Sequence, residues 1–212
     1  MNRKEYKTVV IEGNIGVGKT TLVNAIGNRY NAKIILERFE DNPFLEKFYE
    51  NPEQYAFMVE VNFLISRYEQ VKEFLQPSLF HDFSISDFYL NKTIIFSANN
   101  LSSHQYNLFF KIYKIIYGKL PLPSIYIYLK RPVEELLENI KKRSRPYEKH
   151  ITAEYLQGIE QAYNDYLRTV KDFPVVISNV KNKELTDAQI TDFFYNIIYK
   201  TNLKNGVNHI NP

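Results

Sequence analysis

Residues Gly13-Asn14-Ile15-Gly16-Val17-Gly18-Lys19-Thr20 set glycines, a lysine and a hydroxyl in the order G-x-x-x-x-G-K-[ST]. Glycines at such spacing let successive backbone N–H groups wrap a polyphosphate, and the helix that follows adds the positive end of its dipole. Lys19 would then reach the terminal phosphates, and the Thr20 hydroxyl would ligate Mg²⁺. The flanks suit this reading. Thr8-Val9-Val10-Ile11 is a β-branched run expected to form a buried strand, and Thr21-Leu22-Val23-Asn24-Ala25-Ile26 has helical character. Gly13 through Thr21 are expected to hold ATP, together with Arg145 far along the chain.

Two carboxylates stand where an open parallel sheet presents its ligands, just past the carboxyl ends of strands. Residues 32–37 read as a strand ending in Glu37, and residues 83–87 as a strand ending in Asp87. An acid there can accept the proton of an attacking hydroxyl or support Mg²⁺. Cations gather at Lys141-Lys142-Arg143-Ser144-Arg145, at the end of a helix that Pro132 starts. Cations in a last turn offset the helix dipole, which accounts for one or two of them. Four in five residues, in a chain built for ATP, predict a lid over about 143–151 whose guanidinium groups meet the transferring phosphoryl oxygens.

Alternating strand and helix signals place these residues on an α/β scaffold, a five-stranded parallel sheet flanked by helices in three layers. Further strands are expected at 124–129 and 175–177, with helices around 89–100, 102–117, 152–171 and 185–203. Asn42-Pro43 opens a helical stretch, and Asn51-Pro52 opens a longer one to about residue 74. On it Phe57, Glu60, Leu64, Arg67 and Val71 share one face. Residues 1–204 read as one domain, with a frayed tail over 205–212.

At 212 residues, 44% hydrophobic and 24% charged, the chain suits one full α/β core. A formal charge of +3 is too small to imply nucleic acid. Zero cysteines exclude disulfides and suit a reducing cytoplasm, and four histidines without ligand spacing give no support for zinc. No apolar run approaches the ~18 residues of a membrane span. Met1-Asn2-Arg3-Lys4-Glu5 leaves no room for a signal peptide before the first strand.

Over roughly residues 6–178 the chain resembles the deoxyribonucleoside kinase family. Glu37-Arg38-Phe39 followed by Asp41-Asn42-Pro43-Phe44 is similar to the family's Glu-Pro-Val segment, which implies that Glu37 is the base for the substrate 5′-hydroxyl. Tyr49 matches the tyrosine at the sugar 3′-hydroxyl. Residues 55–67 match the base-binding helix, with Glu60 where a glutamine is usual and Arg67 as the base-reading arginine. Asp87 matches the acid of the Glu/Asp-Arg-Ser/Thr motif, but Phe88 stands where the arginine should be, and Thr93 replaces an aspartate six residues past that acid. Lys92 is expected to lean back and replace part of that arginine. Arg143-Ser144-Arg145-Pro146-Tyr147-Glu148 is similar to the lid Arg-Gly-Arg-x-Glu-Glu, which implies that Arg143 and Arg145 contact phosphates and Glu148 joins Tyr49.

The resemblance implies a P-loop kinase fold, Mg²⁺ with ATP, a small-molecule deoxynucleoside as substrate, and a homodimer. An ionised Glu60 accepts only, so guanine leads adenine as the expected base. A nucleoside monophosphate kinase shares the loop and lid but needs no carboxylate beside the 5′-position. A regulatory subunit that only binds nucleotide would not need the set of Lys19, Thr20, Glu37 and Arg143.

Overall fold

β-branched side chains pack well on a pleated surface, and the runs rich in them seed the sheet. β1 (Thr8–Gly13), β2 (Ala32–Ile35), β3 (Phe83–Ser86), β4 (Ile125–Lys130), β5 (Pro174–Asn179) and β6 (Gly206–His209) lie in the order β2-β3-β1-β4-β5-β6, every neighbour parallel. This computed structural model describes residues 6–74, 76, 79–117, 122–180 and 187–212. The expectations for Met1–Glu5 and for a helix start at 185–186 lie outside the described residues.

The sheet has six strands, not the five expected, because the tail thought to fray pairs with β5 over Gly206–His209. Side-chain amides reinforce that pairing. Asn208 Nδ2 donates to the Val175 carbonyl at 3.2 Å, and the Asn179 N–H donates to Asn211 Oδ1 at 2.8 Å. Partners some thirty residues away carry no local periodic signal, so composition alone read the segment as loose.

Alternation along the central strands splits the core between the two faces of the sheet. Val10, Tyr126 and Tyr128 face one core; Val9, Ile11, Ile125, Ile127 and Leu129 face the other. Helices α1 (Lys19–Arg29), α6 (Val133–Arg143) and α8 (Asp187–Lys200) supply the second core. The first is covered by α2 (Leu45–Glu50), α3 (Pro52–Phe74), α4 (Asn91–Asn100), α5 (Ser103–Tyr117) and α7 (Ala153–Thr169). α3 starts at the proline that the sequence marks. α2 starts later than expected, at Leu45, because Asn42 first closes a turn: its Oδ1 accepts from the Phe44 N–H and its Nδ2 reaches the Val59 carbonyl. Among the described residues no helix is long and apolar enough to cross a membrane.

From β1 the chain runs out to β2, returns to β3 beside β1, then crosses to β4 on the other side. The crevice of such a sheet opens at the carboxyl end of β1. The loop 13–20 sits there.

Candidate active site

The loop is tight. A Cβ on Gly13 would lie 2.6 Å from the Leu129 carbonyl oxygen, and one on Gly16 would lie 2.7 Å from that of Leu136. Gly18, at φ 101°, sits in the left-handed region just before α1 begins. Gly13 and Asn14 are buried and shape the loop; Asn14 Nδ2 donates to the Leu156 carbonyl at 2.8 Å. Lys19 Nζ folds back onto the Gly13 and Asn14 carbonyls, 2.9 Å each. Burial, helped by the Lys92 charge, lowers its pKa to about 8 against the pull of Glu12, Asp87 and Glu37.

Thr20 and Asp87 meet. Thr20 Oγ1 donates to Asp87 Oδ2 at 2.5 Å, and Asp87 Oδ1 accepts from the Glu37 N–H at 2.9 Å. Asp87 therefore links the loop to the segment after β2. A hydroxyl and a carboxylate side by side are hard oxygen donors of the kind Mg²⁺ takes beside phosphates. Among the described residues there is no group of three or more His, Cys, Asp or Glu able to hold a metal without such help.

Glu37 lies two residues beyond β2 with its side chain 8% exposed, clamped between Arg67 Nε at 2.7 Å and Lys92 Nζ at 2.5 Å. Burial alone would raise its pKa, but the Lys92 and Arg67 charges and their hydrogen bonds bring it to about 2. Phe88 is fully buried in the core with Tyr89 and Leu90, whereas Lys92, on the first turn of α4, reaches the carboxylate. A cation four residues past Phe88 thus faces Glu37.

Arg67 also donates through Nη1 to Thr93 Oγ1 at 3.1 Å and lies 4.5 Å over the Phe63 ring. Glu60, one face with Arg67 on α3, makes no ion pair with it among the described residues. Its Oε1 accepts from Asn100 Nδ2 at 2.7 Å, while its Oε2 is buried without a hydrogen-bond partner. Burial raises the Glu60 pKa to about 7, Arg67 and Asn100 opposing.

At the lid, α6 ends on Ser144 at φ 53°, the left-handed cap that glycine usually fills. Arg143 grips Glu148 through two contacts, Nε to Oε2 at 2.6 Å and Nη2 to Oε1 at 2.5 Å. Arg145 approaches the same carboxylate at 3.5 Å and stacks 4.3 Å over the Phe39 ring. Tyr49 lies nearly parallel to Tyr147, ring centroids 6.3 Å apart. Lys141 and Lys142 are exposed and line neither cleft, so the helix dipole accounts for both.

Two clefts share these residues. One runs from Ile15 and Gly16 past Glu37, Tyr49, Arg67 and Lys92 to Glu60, Phe63, Phe96, Asn100 and Tyr155. The other runs from Val17, Gly18 and Thr21 to Arg131, Asn139, Val180 and Thr191. They overlap at Gly16, Lys19, Thr20, Glu37, Phe39, Asp87, Arg143 and Arg145. A sequence profile described as Deoxynucleoside kinase matches residues 9–200. The chain belongs to the deoxynucleoside kinase family. It is 39% identical over 170 residues to a deoxyguanosine kinase of Bacillus subtilis, covering 77% of this chain and 78% of that one. It is 30% identical over 171 residues to a deoxyadenosine kinase of Dictyostelium discoideum, covering 80% of this chain and 70% of the relative. The structure of a deoxyadenosine kinase from M. mycoides with bound dATP superposes with a TM-score of 0.76 at 27% identity, covering 89% of this chain and 97% of that one.

As a deoxynucleoside kinase the chain is a phosphotransferase, and several residues in or behind its clefts escape motif reading. Glu12 is wholly buried on β1, its Oε1 accepting from the Tyr89 N–H at 3.2 Å and its Oε2 from the Tyr163 hydroxyl at 2.8 Å. Burial raises its pKa, with Lys92 and Lys19 opposing. It ties the segment after Asp87 to the strand that carries the loop. Its one signal in the sequence is an acid directly after the apolar run Val9-Val10-Ile11 and before Gly13. Asn139, whose Nδ2 donates to the Gly16 carbonyl at 2.9 Å, and Asn100 have no local signature at all.

Proposed function

We propose that the chain transfers the γ-phosphoryl group of ATP, with Mg²⁺, to the 5′-hydroxyl of a purine deoxyribonucleoside, deoxyguanosine ahead of deoxyadenosine. The observation that carries this is the overlap of two clefts at one lysine, two carboxylates and two lid arginines. Transfer between two substrates needs their reacting ends a few ångströms apart in a shared space. ATP takes the cleft beside Gly18 and Thr21, its phosphates on the loop N–H groups and Lys19. Mg²⁺, held by Thr20 and Asp87, would neutralise charge on the phosphates when bound.

The nucleoside takes the other cleft, with the base among Phe63, Phe96, Glu60 and Arg67, and the sugar beside Tyr49 and Glu148. The 5′-oxygen then faces Glu37. Its bond to phosphorus forms as the bond from the γ-phosphorus to the bridging oxygen breaks, ADP leaves, and the hydroxyl proton passes to the Glu37 carboxylate. Lys92 and Arg67 orient that carboxylate. Arg143 and Arg145 meet the charge spread over the equatorial oxygens. Glu148 has acceptor sites beyond the two that Arg143 takes, so it can hold the arginine and accept from the 3′-hydroxyl together.

The reading includes a homodimer, supported by exposed apolar residues on two neighbouring helices: Met58 and Ile65 on α3, Leu108 and Ile115 on α5. It also includes a reducing compartment such as the cytoplasm, supported by the absence of cysteine. A coupled ATP-consumption assay over the four deoxynucleosides and their monophosphates tests the function. Turnover with deoxyguanosine and deoxyadenosine is expected. Turnover with monophosphates alone, or a strong preference for thymidine or deoxycytidine, would overturn it.

A further inference from the structure

The end of α4 carries two adjacent amides that no phosphate or sugar chemistry requires. Asn99 Nδ2 donates to Asn100 Oδ1 at 3.1 Å, and Asn100 Nδ2 donates to Glu60 Oε1 at 2.7 Å. Room for Asn99 comes from α7, where a Cβ on Gly158 would lie 2.2 Å from Asn99 Oδ1. An amide has one accepting and one donating end. With Oδ1 engaged by Asn99, the donating end of Asn100 must face Glu60. This occupies Oε1 and leaves Oε2, buried and without a hydrogen-bond partner, on a residue that lines the cleft with Phe63 and Phe96. We propose that the Asn99–Asn100 pair is a specificity-determining positioning relay, which holds Glu60 so that Oε2 meets the nucleobase as an acceptor for the N–H edge of guanine.

The inference rests on the deoxynucleoside reading of the cleft and deepens it. Guanine presents N1–H and the N2 amino group side by side, both donors to a carboxylate. Adenine presents N1, an acceptor, at the same place, so its lone pair opposes that of Oε2 unless Glu60 carries a proton. That proton has one seat, Oε2, since Oε1 is held by an N–H. The groups facing Glu60 are Arg67 on its own helix, Lys92 and Asn100 on α4, Glu37 past β2, and Tyr155 on α7. Burial dominates and sets the titration near neutrality, at about 7. Above that pH Oε2 only accepts and guanine gains; below it Oε2 donates and adenine gains. Guanine binding in turn favours loss of the proton, and adenine binding favours its retention.

The test is kcat/KM for deoxyguanosine and for deoxyadenosine at pH 6 and pH 8.5, in wild type, Asn100→Leu and Asn99→Ala. In wild type the guanine-to-adenine ratio is expected to rise between the two pH values. Asn100→Leu should lower the ratio at pH 8.5 by roughly tenfold, the effect of one lost or opposed hydrogen bond. Asn99→Ala frees the amide to turn and should lower the ratio less, at a half-buried site; it decides the matter if the leucine variant does not fold. A structural role alone would lower both substrates by the same factor, and an unchanged ratio in the folded variants overturns the relay. Wild type that accepts neither purine deoxynucleoside overturns the underlying reading instead, and shows it before any variant is compared.

Discussion

Glu37 shows how burial and charge compete at one atom pair. Taking a carboxylate out of water disfavours its ionised form, yet two cations at 2.5 and 2.7 Å bring its pKa to about 2. So strong a pull makes a poor base for a free hydroxyl. In the proposed role of Glu37, proton transfer comes late, once the 5′-oxygen is bonding to phosphorus and its proton has become acidic. Glu37→Gln is expected to lower kcat by about 10²–10⁴-fold, and the wild type should show no acid limb from this group between pH 5 and 9. Near-normal turnover of the variant, with ATP binding intact, would remove the assignment.

A folded-state pKa below the ordinary value of 4.5 also means that the group adds stability above that pH and loses it as pH falls through about 2. Acid unfolding of the ligand-free protein reads this directly. Lys92 supplies the larger share of the pull. Lys92→Ala should raise the Glu37 pKa, bring an acid limb into the pH–rate profile and lower kcat/KM by about tenfold or more. A fully active variant with a flat profile would leave Phe88 without a substitute.

At the scale of elements, the segment proposed as a lid is a helix end, a left-handed cap and a short turn whose Arg143 and Arg145 line the same clefts as Lys19. Its cations divide cleanly. Lys141 and Lys142 point to solvent in the last turn of α6, while the two arginines line the shared space. Arg143→Ala is expected to lower kcat by about 10²–10³-fold with a smaller change in KM for ATP, the mark of a group that acts on the transition state. A pure KM effect would reassign it to ATP binding. Arg143→Lys should rescue little, because a single ammonium cannot reproduce the two-point grip on Glu148 or on phosphate oxygens.

α3 shows the other kind of element-scale control. Its proline start and its 3-4 spacing were readable in the chain. The spacing put Glu60 and Arg67 on one face, but their partners come from α4 and from the segment after β2.

For the whole molecule, the sixth strand tests how far the sheet edge matters to the site. β6 lies at the end of the sheet remote from β2 and β3, and pairs only with β5. Truncation after Lys204 removes that pairing and the Asn211 contact to Asn179. The expected outcome is a fall in Tm of several degrees, since a loss of about 1 kcal/mol moves a domain of this size by ~2–4 °C. At a permissive temperature kcat should stay near wild type. An unchanged Tm would mean that the tail adds nothing to the fold.

The sequence by itself determined the glycine loop between β1 and α1, the two acids past strand ends, the arginine pair at the end of α6 and the alternation that makes a parallel α/β sheet. These are signals of short range, set by glycine freedom, β-branched runs, proline starts and charge spacing within a few residues. Only the tertiary structure decided the rest. It took parallel crossover to bring Arg67 and Lys92 onto the Glu37 carboxylate and Asp87 onto its backbone N–H, so that the two cations outweigh burial and hold Glu37 at about 2, while burial wins at Glu60 and raises it to about 7. The physical reason is that both effects depend on which groups are excluded from water together. A carboxylate between two cations and one without an ion pair are the same residue in the chain, and become opposites only when the fold encloses them.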